Sequence, residues 1–158
     1  MTSKECLRLF LDSNVLIEAV FLPDSAASAI IQLAAGGTFD IITCRPVIID
    51  VENAILKKLK SDSARLNKII DRWQAILEES RLTVLHAPED NVIQKTYKLY
   101  IATMRHQADI QILAAALLAK PNFILSGNRE HFNDLVANKC SIPIRSCPEF
   151  IEDLIAGR

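Results

Sequence analysis

Short apolar runs of β type alternate with longer helical patterns along the 158 residues of the chain, and no other feature restricts the fold so much. Strand-like segments are expected at 7–11 (LRLFL), 39–43 (FDIIT), 82–85 (LTVL), 122–126 and 142–144. Between and after them, helical patterns cover 25–35, 46–60, 63–80, 88–104, 109–120 and 148–156. Strands separated by helices cannot pair as hairpins. They imply βαβ units, hence a parallel sheet covered by helices on both faces. The expected class is therefore α/β: a three-layer sandwich on about five mostly parallel strands. Half the residues are hydrophobic and 23% are charged, which excludes disorder. One domain spanning 1–158 can bury enough surface to need no covalent staple.

Charge and cysteines narrow the function classes. A net charge of −1 is far from the strongly basic balance of a general nucleic-acid binder. Any such partner must be held by a local patch or through metal ions. Cys6, Cys44, Cys140 and Cys147 form no CxxC pair and no zinc-ligand spacing. Reduced thiols in a cytoplasmic protein are expected. The opening MTSKECLRLFLDSN has no sustained apolar region before Asp12, which argues against a signal peptide. The longest apolar run, Ile112–Ala119, is far short of the ~20 residues a membrane span requires.

Parallel α/β sheets bind ligands beyond the carboxyl ends of their strands, so polar residues at those ends matter most. Asp12 follows the first strand directly; Asp-Ser-Asn is also ordinary helix-capping chemistry. In the 46–60 helix, Ile48, Val51, Ile55, Leu56 and Leu59 share one face at about 100° per residue, with Glu52 in their midst. A carboxylate on a core-facing stripe demands a cation, a hydrogen-bond set or a wet cleft. Asp109 opens a helix that is apolar almost all round and hence buried; a first-turn Asp that favours the helix dipole is the plain alternative. Asn128 closes the strand–turn segment Phe123–Asn128. Three carboxylates and one amide oxygen meeting in one crevice would be an all-oxygen site, which selects Mg²⁺ or Mn²⁺ over zinc. Such a site suits phosphodiester cleavage.

The motifs LFLDSNVLI (9–17), VENAIL (51–56), ADIQILAAAL (108–117) and ILSGNREHF (124–132) follow in order, and IPIRSCPEFIEDL (142–154) closes the chain. Together they resemble the PIN-domain ribonucleases, most of all the toxin components of toxin–antitoxin pairs (VapC-like). The resemblance implies Mg²⁺- or Mn²⁺-dependent RNA cleavage by acidic residues matched here by Asp12, Glu52 and Asp109. Asp12, Asp109 and Asn128 would be metal ligands, with Ser13, Asn14 and Ser126 in support. Asn128 stands where many members carry a fourth Asp; a subset with a Ser/Thr-Gly-Asn-x-x-His-Phe segment shares the departure, and Glu130 is a nearby carboxylate that could substitute. A small antitoxin and a homodimer partner are implied too, with the Trp73 stripe either an interface or core.

RNA would need basic groups. Residues 54–72 hold six cations (Lys57, Lys58, Lys60, Arg65, Lys68, Arg72) against two carboxylates (Asp62, Asp71). Lys57 and Lys60 on this stretch, and Arg105 and His106 beside Tyr97 and Tyr100, are the expected RNA contacts. Two rivals stand against the nuclease. A haloacid-dehalogenase-type phosphatase normally needs an Asp where Asn14 lies. A non-catalytic binding module would bind partners without cutting RNA.

Overall fold

The structure, a computed structural model, describes residues 5–104 and 106–157. Five strands make one sheet: β1 (Leu7–Leu11), β2 (Phe39–Cys44), β3 (Thr83–Leu85), β4 (Phe123–Leu125) and β5 (Ile144–Arg145). Their order is β3-β2-β1-β4-β5, with every neighbouring pair parallel. Among the described residues eight helices join and cover the strands: α1 (Ser13–Phe21), α2 (Ala26–Ala35), α3 (Arg45–Lys58), α4 (Ser63–Glu79), α5 (Asp90–Tyr100), α6 (Gln107–Ala119), α7 (Asp134–Cys140) and α8 (Cys147–Ile155). This is the α/β sandwich expected from the alternating pattern.

β1 lies at the centre because its side chains suit burial on both faces: Leu9, Phe10 and Leu11 are all fully buried. α6 also behaves as its composition dictates. Ile110 and the run Ile112–Ala116 are buried, and Lys120 closes the helix in the left-handed conformation at φ 49°. α4 turns Ile69, Trp73 and Ile76 inward, so the Trp73 stripe is intramolecular core. The Arg72 guanidinium fastens α4 to its neighbours, donating from Nε to the Ala19 carbonyl (3.1 Å) and from Nη2 to Ser28 Oγ (3.1 Å). No single helix among the described residues is long and apolar enough to cross a membrane.

Two helices have no counterpart in the hydrophobic periodicity. α1 starts immediately after Asp12, whose carboxylate caps it, and its nine residues are too few to show a clear repeat. α7, of seven residues, is capped by Asn133. The last strand begins later than expected, at Ile144, because Pro143 contributes its carbonyl to Ile124 but has no N–H for a ladder.

α8 begins with a reciprocal cap. Ser146 Oγ accepts from the Glu149 N–H (3.2 Å), and Glu149 Oε1 accepts from the Ser146 N–H (2.9 Å). These bonds hold the Glu149 carboxyl below its usual range. Ser146→Ala is expected to cost about 1 kcal/mol in urea unfolding. The pH dependence follows the lowered pKa. The Glu149 contribution is complete above the unfolded carboxylate pKa and disappears as pH falls through the folded one.

Candidate active site

The strand order reverses between β1 and β4, since β2 and β3 extend the sheet one way and β4 and β5 the other. A crevice opens at such a switch point beyond the strands' carboxyl ends. Asp12 leaves β1 there, and Ser126, Gly127 and Asn128 leave β4. The Asp12 N–H donates to the Leu125 carbonyl (3.0 Å), which stitches the two strand ends together.

Asp12 is only 3% exposed. Its Oδ1 accepts from the Ser13 N–H (2.7 Å). Its Oδ2 accepts from Ser126 Oγ (2.7 Å) and from Asn14 Nδ2 (3.2 Å). Asn14 in turn accepts at Oδ1 from the Gly127 N–H (2.6 Å). A Cβ at residue 127 would stand 3.2 Å from that Oδ1, so glycine permits the close approach. Ser13, Asn14 and Ser126 thus all hydrogen-bond to the Asp12 carboxylate.

Burial raises the Asp12 pKa above its ordinary value, the Ser126 and Ser13 hydrogen bonds oppose this, and the negative charge of Asp109 raises it further. The charge coupling between Asp12 and Asp109 brings residues 97 positions apart into one electrostatic centre. Asp109 lies in the first turn of α6. His131 Nδ1 is 2.6 Å from Asp109 Oδ2 and 3.2 Å from Asn128 Nδ2. The Asn128 N–H donates to Ser126 Oγ (3.0 Å). A polar string therefore runs Asp12–Ser126–Asn128–His131–Asp109. His106, the residue before α6, lies with its ring 4.5 Å from that of His131. Fully buried Phe132 anchors the turn that carries His131.

Glu52 does not join this centre. It is exposed and makes no hydrogen bond or ion pair among the described residues. Leu56, expected on the same inward face, is 58% exposed. The buried face of α3 is Val47, Ile48, Val51 and Ile55, continued by Leu59. The carboxylate of α3 that contacts Ser13 is Asp50, whose Oδ2 accepts from Ser13 Oγ at 2.9 Å. The cause is a second neighbour. The row Asp50–Ala54–Lys58, spaced i, i+4, i+8, runs beside α1, with Asp50 at Ser13 and the Lys58 ammonium 4.7 Å from the Phe21 ring centre. A one-face helical wheel misses it because α3 packs on the sheet and on α1 at once.

Other expected residues divide as follows. Lys57 and Lys60 are exposed. Arg105 lies outside the described residues. Glu130 is exposed, and its carbonyl accepts from Asn133. Tyr100 is core, whereas Tyr97 is 43% exposed. His131 is the participant that the motif contains but whose bond to Asp109 no local pattern discloses.

Among the described residues, no group of three or more His, Cys, Asp or Glu forms a cage for a metal ion. Mg²⁺ does not need one, since it commonly takes one or two carboxylates and completes its shell with water and substrate phosphate. Asp12 and Asp109 fit that requirement. Each keeps carboxylate lone pairs beyond the bonds described, and Asp12 has no cationic partner among the described residues. The donors are hard oxygens and do not fit a zinc site.

Comparison with known proteins agrees with this fold. Several solved structures share it. VapBC2 from Rickettsia felis, bound to a DNA fragment from its promoter, matches with TM-score 0.62 and 12% identity over 89% of this chain and 98% of that one. PAE2754 from Pyrobaculum aerophilum matches with TM-score 0.62 and 14% identity over 96% and 99%. FitAcB from Neisseria gonorrhoeae matches with TM-score 0.65 and 16% identity over 88% and 97%. No curated protein matches the chain by sequence. The PIN domain family model matches residues 8–130, from β1 through the turn that holds Asn128. The chain therefore belongs to the PIN domain family.

Proposed function

We propose that this protein is a divalent-metal-dependent ribonuclease of the cytoplasm, the toxin of a toxin–antitoxin pair. The observation that carries the reading is the buried Asp12 carboxylate coupled to Asp109 at the switch point without a cation of its own among the described residues. The fold likeness to VapBC2 and FitAcB supports a small antitoxin as partner. Family membership supports nuclease chemistry.

Asp12 and Asp109 would hold Mg²⁺ or Mn²⁺, with Asn128 as a neutral oxygen donor beside them. The ion supplies Lewis acidity, offsetting phosphate charge and acidifying water for attack on phosphorus. The chain's own residues set the geometry. Ser13, Asn14 and Ser126 fix the Asp12 carboxylate, and His131 fixes that of Asp109. The P–O bond of the RNA is hydrolysed and the leaving oxygen takes a proton.

The test is cleavage of a single-stranded RNA oligomer with Mg²⁺, Mn²⁺ or EDTA. Cutting with either ion and none in EDTA is expected; equal products in all three would refute the reading. The third acidic position gives a separate prediction. Asp50→Asn is expected to lower kcat/KM roughly 10- to 100-fold, the usual effect of losing a group that orients a metal site. Glu52→Gln, out in solvent, should stay within about twofold. The reverse ranking would return the role to Glu52.

A further inference from the structure

A groove of about 440 Å³ lies between α1, α3 and the start of α4. Its wall is apolar, from Ile17, Phe21 and Leu22, and Leu22 is 56% exposed. Two cations, Lys58 and Arg65, and a single carboxylate, Glu18, also line it. Neither cation forms an ion pair among the described residues. Asn14 is also part of its lining, and its Nδ2 donates to Asp12 Oδ2. The groove therefore begins one hydrogen bond from the proposed metal centre.

Resting on the nuclease reading, we propose that this groove seats the nucleotide next to the scissile phosphate, its base against Phe21 and its phosphate on Lys58 and Arg65. An apolar wall with an aromatic ring, bordered by cations, is what a single-stranded nucleotide requires. Position favours RNA over other ligands of that chemistry. A strand held at Asp12 must leave along some surface, and Asp50 and Glu52 make the neighbouring face of α3 acidic. Along α3, Lys58 lies about 12 Å from Asp50 at 1.5 Å per residue, so the charge changes sign away from the centre. In the RNA-free protein the Lys58 ammonium covers the Phe21 ring. A stacking base displaces it and leaves it free for the phosphate. The structure also sorts the basic stretch at 54–72: Lys58 and Arg65 line the groove, whereas Lys57 and Lys60 do not.

The experiment is binding of a 12-nucleotide single-stranded RNA, by fluorescence anisotropy, across a salt series. It uses the full chain carrying Asp12→Asn, so that no cleavage intervenes. Lys58→Ala with Arg65→Ala is expected to raise Kd at least about tenfold and to flatten the log–log salt slope by about 0.7, for the one phosphate left without its cations. Lys57→Ala with Lys60→Ala should change the slope less. Phe21→Ala should weaken binding roughly 5- to 150-fold with the slope kept, and the effect should vanish against an oligomer without bases. Phe21→Leu, which keeps apolar volume without the ring, gives the same result if Phe21→Ala fails to fold. An unchanged slope and a Kd within about twofold for Lys58→Ala with Arg65→Ala would overturn the proposal and leave the groove to a protein partner. A wild-type protein that shows the groove-dependent slope yet cuts no RNA with Mn²⁺ would overturn the nuclease reading alone.

Discussion

Asp12→Asn is expected to lower Mn²⁺-dependent RNA cleavage about 10²-fold or more while removing a loss of stability that the wild type shows as pH rises towards neutral. Both effects have one origin. The wild-type carboxylate is 3% exposed and lies against the charge of Asp109. Burial and that repulsion raise its pKa, so the folded state holds the proton more tightly than the unfolded chain does. Stability then declines as pH rises from the unfolded carboxylate pKa through the folded one, and stays lower above it. Asparagine removes this pH-dependent penalty and still offers an oxygen to cap α1, while its Nδ2 cannot accept from Ser126 Oγ and Asn14 Nδ2, a loss that does not vary with pH. The same change removes the charge that a divalent ion would neutralise, and a Lewis-acid contribution of several kcal/mol corresponds to at least the stated fall in rate. Thermal unfolding at pH 4 and pH 7.5 checks the first effect. The wild type should lose stability relative to the variant between those values. Added Mn²⁺ should raise the melting temperature of the wild type and not of the variant. A variant that cuts RNA at the wild-type rate, or that responds equally to Mn²⁺, would remove Asp12 from the site.

Phe10→Ala is expected to give the largest loss of stability, about 3–5 kcal/mol, a large part of the roughly 5–15 kcal/mol that holds a domain folded. Phe10 is fully buried on β1, in register with Ile42 of β2 and Ile124 of β4. The cavity would open at the centre of the sheet, where strands on both sides limit relaxation. Two residues on, Asp12 depends on the same strand through its N–H to the Leu125 carbonyl, so activity should fall with stability. Urea unfolding should show a much lower midpoint. Leu135→Ala, at a site 65% exposed, should stay within about 0.5 kcal/mol. Comparable midpoints for the two variants would contradict the central placement of β1.

Hydrophobic periodicity is enough to reveal the sheet and most of its helices, because each of those elements buries a face long enough to repeat. α1 and α7 escape it for the opposite reason. They are short, and their starts are marked mainly by the caps Asp12 and Asn133. At Asp12 the cap and the proposed metal-binding role fall on the same side chain, so local chemistry alone does not separate them.

The α/β class, the apolar character of β1 and the candidacy of Asp12, Asp109 and the Ser126–Asn128 turn are written in the order of the residues, since apolar strands ending in polar groups are local patterns. Three-dimensional packing was needed to choose which carboxylate of α3 approaches Ser13, to bring His131 onto Asp109, and to gather Lys58, Arg65 and Phe21 around one groove. Those are relations between elements. A helix with two neighbours has two inward faces, and the periodicity of its own residues reports only the more apolar of them.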